Sequence, residues 1–240
     1  LHAHIARKGS PLAMELTHGL LHSTILQFII DQGFAPHAAE LAALLQISEP
    51  EVIKALNALQ DYHGVVLHPN SARIWVIHPF SLAPTNFTVR TAERAYWGNC
   101  AWCSLGAAAL LNRDVTITTV LGADRQQVQI HIRDGELVET GFYVHFPIPM
   151  TQAWDNVIYT CSTMLLFDGV QDVERWCQQH RIPQGDVQPM ANVWNFAKIW
   201  YGNHLNPRWE KWTNQQALDI FQQFGLTHTV WQIAPSATRF

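Results

Sequence analysis

The stretch Asn99–Asn112, NCAWCSLGAAALLN, places two of the chain's four cysteines three residues apart at the head of an Ala/Leu run. Ala and Leu favour helix, and Asn is a preferred N-cap, so Asn99 reads as the cap and Cys100 and Cys103 as first-turn residues. Positions i and i+3 share one helix face. The free N–H groups and positive dipole end of such a helix favour thiolate, which is both nucleophile and soft-metal ligand. A lone Cys-x-x-Cys is compatible with redox, metal-binding or incidental roles. A closed structural zinc site needs a second ligand pair at similar spacing, and the chain has none.

Upstream of this stretch, residues 20–80 read as three helices and a hairpin. LLHSTILQFIIDQG has apolar residues at helical spacing and stops at Gly33. PHAAELAALLQ is a second short helix. SEPEVIKALNALQDYHG opens with a capping box, Ser48 and Glu51, and ends before Gly64. VVLHPNSARIWVIHPF then forms two strands about an Asn-Ser turn. This order predicts a winged helix-turn-helix module over residues 1–82. Its charge argues against DNA: between Phe34 and Phe80, Glu40, Glu49, Glu51 and Asp61 face only Lys54 and Arg73. SLAPTNFTVR reads as a connector, which puts the boundary near residues 80–90.

Downstream, DVTITTVL, QQVQIHIR, ELVE and FYVHFP read as strands, with turns at GADR and DGE. NVIYTCSTMLLF is an apolar run that periodicity alone does not assign to helix or strand. VQDVERWCQQH, MANVWNFAKIWYGNHL and NQQALDIFQQFG read as helices. The expected class is therefore α+β, the N-terminal module being followed by a mixed-sheet and helix domain over residues 83–240.

Composition narrows the function. Only 14% of the 240 residues are charged, ten are Trp, and the net charge is -4. No Lys/Arg block occurs, so nucleic acid and anionic membrane are poor partners. No run approaches the roughly 18 consecutive apolar residues of a membrane span. The N-terminal LHAHIARKGSPLAMEL shows no signal-like apolar core. Four cysteines are too few for a disulfide scaffold, which predicts free thiols and a cytoplasmic location.

Cys161, in YTCSTMLLF, reads by itself as a buried core cysteine, and Cys177, beside Trp176, as packing. Asp155 reads as a surface or capping carboxylate, His145 as a structural histidine on a strand, and His204 as a helix-end residue. The Trp-rich run NVWNFAKIWYGNHLNPRWEKW reads as core and inter-domain packing.

Taken together, NCAWC with SLGAAALLNRDVTI, VHFPIP, YTCSTMLLF and VERWCQQHRIPQGDV resembles the alkylmercury (organomercurial) lyases, from about residue 20 to the GLTHTVWQI end. That family joins a winged-helix-like module to a catalytic domain. Its motif is a cysteine, two residues and an aspartate, with a second essential cysteine farther along. The resemblance puts Cys100 on the first cysteine and Cys161 on the second, and Cys103 stands where the family has its aspartate. In the family that aspartate takes part in proton delivery and in holding the metal.

The resemblance implies protonolytic cleavage of carbon–mercury bonds, with Cys100, Cys103 and Cys161 as catalytic and metal-binding residues. Thiolates at Cys100 and Cys161 bind mercury, and Cys103 is either the proton donor or a third ligand. No organic cofactor is implied. The partners are a small organometal or organic substrate and, for product release, small thiols or a metal carrier. Because three thiols make a softer cage than two thiols and a carboxylate, a second reading is a three-cysteine Hg, Cu or Zn binder. A third is a divergent relative that uses the same cysteines on another organic substrate.

Overall fold

The computed structural model describes residues 16–236 and residue 238. The N-terminal stretch read for a signal sequence lies almost wholly outside them.

Three helices come first: α1 (His18–Gln32), α2 (Ala38–Leu45) and α3 (Glu49–Asp61). Thr17 caps α1 by accepting from the Leu20 N–H, and Gly33 ends it in the left-handed conformation that glycine adopts freely. At the start of α3 the Glu51 carboxylate accepts from the Ser48 N–H at 2.8 Å, as its Ser-x-x-Glu pattern predicts. Leu21, Ile25, Leu26 and Ile29 of α1 are buried with Val52, Leu56 and Leu59 of α3. Each such side chain contributes roughly 1.5–3 kcal/mol by leaving water.

The hairpin follows as β1 (Val66–Leu67) and β2 (Ile74–Ile77). It is not isolated. β2 pairs with β3 (Phe80–Ser81), and β3 pairs with β5 (Ala95–Gly98). The segment expected to be a connector therefore supplies two strands, β3 and β4 (Phe87–Arg90). The reason is local: Phe80, Phe87 and Val89 are buried, and their backbones complete a ladder that would otherwise end in unpaired groups. One antiparallel eight-stranded sheet results, ordered β1-β2-β3-β5-β4-β6-β7-β8. It includes β6 (Val115–Val120), β7 (Gln127–Arg133) and β8 (Glu136–Leu137). In β6, Val115, Ile117 and Thr119 point inward in strict alternation. Asp134 and Gly135 turn β7 into β8 with positive φ at both residues, as a tight hairpin requires. The expected GADR turn begins inside a short 3-10 turn, Leu121–Ala123.

Helix α4 (Ala101–Leu111) lies between this sheet and α7 (Met190–Tyr201). Nearly every residue of α4 is buried, which is why its sequence is Ala/Leu-rich all round rather than amphipathic. A second sheet places β9 (Tyr143–Phe146) between β10 (Leu166–Phe167) and β11 (Asp186–Pro189). The ambiguous run NVIYTCSTMLLF divides: α5 (Val157–Thr163) comes first, capped by Asn156 on the Tyr159 N–H at 2.9 Å, and β10 comes second. α6 (Val170–His180) and α8 (Asn214–Gln223) complete the α+β fold. No described helix is long and apolar enough to cross a membrane.

Candidate functional site

The site begins at the head of α4. Its N-cap is Cys100, not Asn99: Cys100 has extended backbone, and its Sγ accepts from the Cys103 N–H at 3.3 Å. A sulfur here fills the capping role that an oxygen usually fills. Asn99 instead turns its amide to His78, with Nδ2 3.2 Å from Nε2. The head of α4 is tied to the end of α5 by the Ala101 N–H bond to the Met164 carbonyl, 3.0 Å. That tie carries α5 and Cys161 to the two α4 cysteines.

Cys100, Cys103 and Cys161 all line one cavity, and all three are buried free thiols. Its volume is about 90 Å³, several times the roughly 10–15 Å³ that one water needs. His78, between β2 and β3, reaches it from the N-terminal side, with Nε2 3.8 Å from Cys161 Sγ. The nearest donor atoms of His78, Cys103 and Cys161 lie within 4.8 Å of one another. Tyr201, the last residue of α7, brings its hydroxyl to 3.4 Å from Cys103 Sγ. Met164 adds a fourth sulfur, 3.8 Å from Cys100 Sγ.

These neighbours divide the charge unequally. Burial, then the neighbouring Cys103, pushes the Cys100 thiol well above its ordinary range. Hydrogen bonds to Cys100 and Cys103, with burial, push Cys161 up as well. Burial opposes ionisation of Cys103 too, but hydrogen bonds from Cys100 and Cys161 outweigh it. Those bonds, aided by nearby His78 and the Tyr201 hydroxyl, hold Cys103 well below the usual thiol range. Of the three, Cys103 is the thiol whose surroundings favour ionisation, while those of Cys100 and Cys161 favour the protonated form. The helix end favours charge at its first turn in general, but only Cys103 has three donors around its sulfur.

The other residues singled out in the sequence lie elsewhere or act differently. Cys177 is outside the cavity, 3.5 Å from His145 Nε2. His145 is fully buried and bonded to the Gln184 carbonyl at 2.7 Å. Asp155 is exposed. His204 lies just past the end of α7 as expected, but it is buried at the cavity, and burial holds its pKa well below the usual histidine value. Its neighbour His22 stacks on Trp209 at 3.7 Å and is held neutral by burial, its pKa lowered to about 3. Part of the Trp-rich run does pack the core, but Trp200, Trp209 and Trp212 also form cavity wall. His78, Tyr201 and Lys211 were not legible as site residues. Lys211 sits over the rings of Tyr62 and Trp154, and burial lowers its pKa to about 8.

Chemically, the arrangement is an aromatic-walled pocket that brings together three thiols, of which Cys103 ionises most readily, with the imidazole of His78 beside them. Such a donor set suits soft and borderline metals. Among the described residues no carboxylate lines it, so it offers no hard anionic oxygen to calcium or magnesium.

No curated protein matches the chain. Among solved structures, the chain resembles one described as the crystal structure of the mercury-bound form of MerB2. The TM-score is 0.62 at 20% identity, over 81% of this chain and 92% of that one. That likeness speaks for the fold. The MerB alkylmercury lyase family model matches residues 80–202, which is just over half of the 240-residue chain and includes all three cavity cysteines. The chain belongs to the alkylmercury lyase family.

Proposed function

We propose that this protein cleaves the carbon–mercury bond of small organomercurials by protonolysis, with Cys100, Cys103 and Cys161 as its catalytic and metal-binding residues. The observation that carries the reading is the cysteine trio around one cavity, with Cys103 the thiol most disposed to ionise and Cys161 disposed to keep a proton it can give.

The Cys103 thiolate attacks mercury in R–Hg–X and displaces X as an anion. The Cys161 sulfur then joins the metal while its proton passes to carbon. The carbon–mercury bond breaks, R–H leaves, and Hg(II) remains between two thiolates. Cys100 is the third soft donor beside them and caps α4 so that Cys103 keeps its position. Thiol exchange with small thiols or a metal carrier removes the ion. The cavity's aromatic wall shields the carbon from water, leaving the thiol proton as the one delivered.

Residues 1–82 act as a winged-helix-like module and residues 83–240 as the catalytic domain. The first covers the site of the second rather than reading DNA. Supporting this, α1 supplies His22 and the β2–β3 connection supplies His78 to the cavity. The Tyr62 hydroxyl also accepts from the Lys211 N–H at 3.2 Å.

A second reading, a three-thiol metal trap, draws on Met164: its sulfur beside Cys100 makes the pocket unusually rich in soft donors. The test that separates the two is benzene release from phenylmercury in the presence of excess thiol. Release of one equivalent or more supports the lyase; tight mercury uptake without benzene supports the trap.

A further inference from the structure

We propose that His78, Cys103 and Cys161 also form a Zn(II) site, in which zinc occupies the cysteines when no organomercurial is present. This inference rests on the cavity reading above but uses a different donor set from the three cysteines.

The argument is geometric. Tetrahedral zinc bonds sulfur at about 2.3 Å and histidine nitrogen at about 2.0–2.1 Å, so neighbouring donors lie roughly 3.6–3.8 Å apart. His78 Nε2 and Cys161 Sγ are already 3.8 Å apart. The widest separation in the group is no more than 4.8 Å, so side-chain adjustments of about 1 Å close the site. Two sulfurs and one nitrogen with a fourth position open to a cavity is a set that zinc adopts in catalytic sites.

The surroundings fit the same ion. Asn99 Nδ2 lies 3.2 Å from His78 Nε2 and helps hold the ring where it faces Cys161. Trp154 meets the His78 ring edge-on at 5.3 Å and limits its rotation. The Tyr201 hydroxyl beside Cys103 Sγ is the kind of outer partner that orients a ligating thiolate. The donor set also separates zinc from softer ions: Cu(I) and Hg(II) favour thiolates alone and draw in Cys100, whereas imidazole with two thiolates suits zinc.

The experiment uses the reduced full-length chain and zinc chloride alone, without any organomercurial. Titration is expected to give one zinc per chain. His78→Ala should weaken it by more than about 100-fold, beyond the roughly 10–100-fold that loss of an outer partner costs. Cys177→Ser should leave zinc affinity little changed, because that thiol packs by His145 outside the cavity. On the wild type, zinc should protect Cys103 and Cys161 from alkylation and leave Cys100 unprotected, a readout that needs no variant to fold. Zinc binding that is absent, indifferent to His78→Ala, or protective of Cys100 to the same degree overturns the proposal. Benzene release from phenylmercury by the zinc-free chain is measured separately, so failure here leaves the lyase reading standing.

Discussion

The Tyr201 hydroxyl reaches 3.4 Å from Cys103 Sγ because residue 106, one turn farther along α4, is glycine. A methyl group at that position would overlap the Tyr201 ring. The glycine lets α7 settle against α4 closely enough for its last residue to touch the site. Gly106→Ala should therefore displace Tyr201 and cost about 1–3 kcal/mol, as overpacking of a filled core does. Tyr201→Phe should leave stability nearly intact but remove one donor from Cys103. The pH profile of alkylation at Cys103 is expected to shift upward in both variants. An unchanged profile in Tyr201→Phe would show that the hydroxyl does not stabilise the thiolate.

The cysteines should differ in what their loss does. Cys161→Ser and Cys103→Ser should each weaken Hg(II) binding severely, and Cys100→Ser should weaken it strongly, because each removes a soft donor from the cavity. Cys177→Ser should change binding little, since that thiol packs by His145 away from the cavity. Mercury titration of the four variants measures this.

Acid should destabilise the protein through His22. The folded state holds its pKa at about 3, against about 6.5 when exposed. Below about pH 6.5 the unfolded chain takes up a proton that the folded chain refuses, so stability falls as pH drops from there toward 3. The slope from this residue is about 1.4 kcal/mol per pH unit. His204, depressed by burial in the same way, adds to the loss. His22→Phe keeps a ring on Trp209 and should flatten the pH dependence of the urea midpoint between pH 4 and 6. A wild-type midpoint that is level across that range would contradict the assignment.

The full chain should show no salt-dependent affinity for duplex DNA at physiological ionic strength. The helix and hairpin segment carries more acids than bases, and α1 and the β2–β3 connection face the cavity. Tight binding that weakens steeply with salt would overturn this.

Much of this architecture can be read from local pattern. The capping box at Ser48, the stop at Gly33, the alternation in β6 and the paired cysteines of α4 each have a short-range cause. The cap of α4 was misplaced by one residue, because oxygen side chains are the usual caps and a cysteine at that role gives no composition signal. His78 was invisible for a different reason. It sits between two short strands, and it meets Cys161 only because the hairpin sheet continues into the catalytic sheet. Tyr201 lay hidden in a helical aromatic run, where its position at the end of α7 opposite Gly106 is a tertiary fact. SLAPTNFTVR reads as a connector because of its Pro and Thr, yet its Phe87 and Val89 are buried residues of β4.

Cys103 is where this chain departs from the family pattern, and Cys103→Asp tests what the departure does. The wild-type pocket has three thiols to hold the product ion, so release should limit turnover. Replacing Cys103 with a carboxylate removes both the attacking thiolate and a soft donor, so the rapid release of R–H should slow while departure of Hg(II) speeds up. A rapid phase undiminished in Cys103→Asp would show that the Cys103 thiolate is not the attacking group.

The central claim is that the cysteine trio performs protonolysis, and pre-steady-state benzene release from phenylmercury with excess thiol tests it most directly. Wild type should release about one benzene per protein in a rapid phase, followed by a slower phase set by departure of Hg(II). Cys161→Ser should lose the rapid phase. No benzene from wild type, or an undiminished rapid phase in Cys161→Ser, would contradict the account.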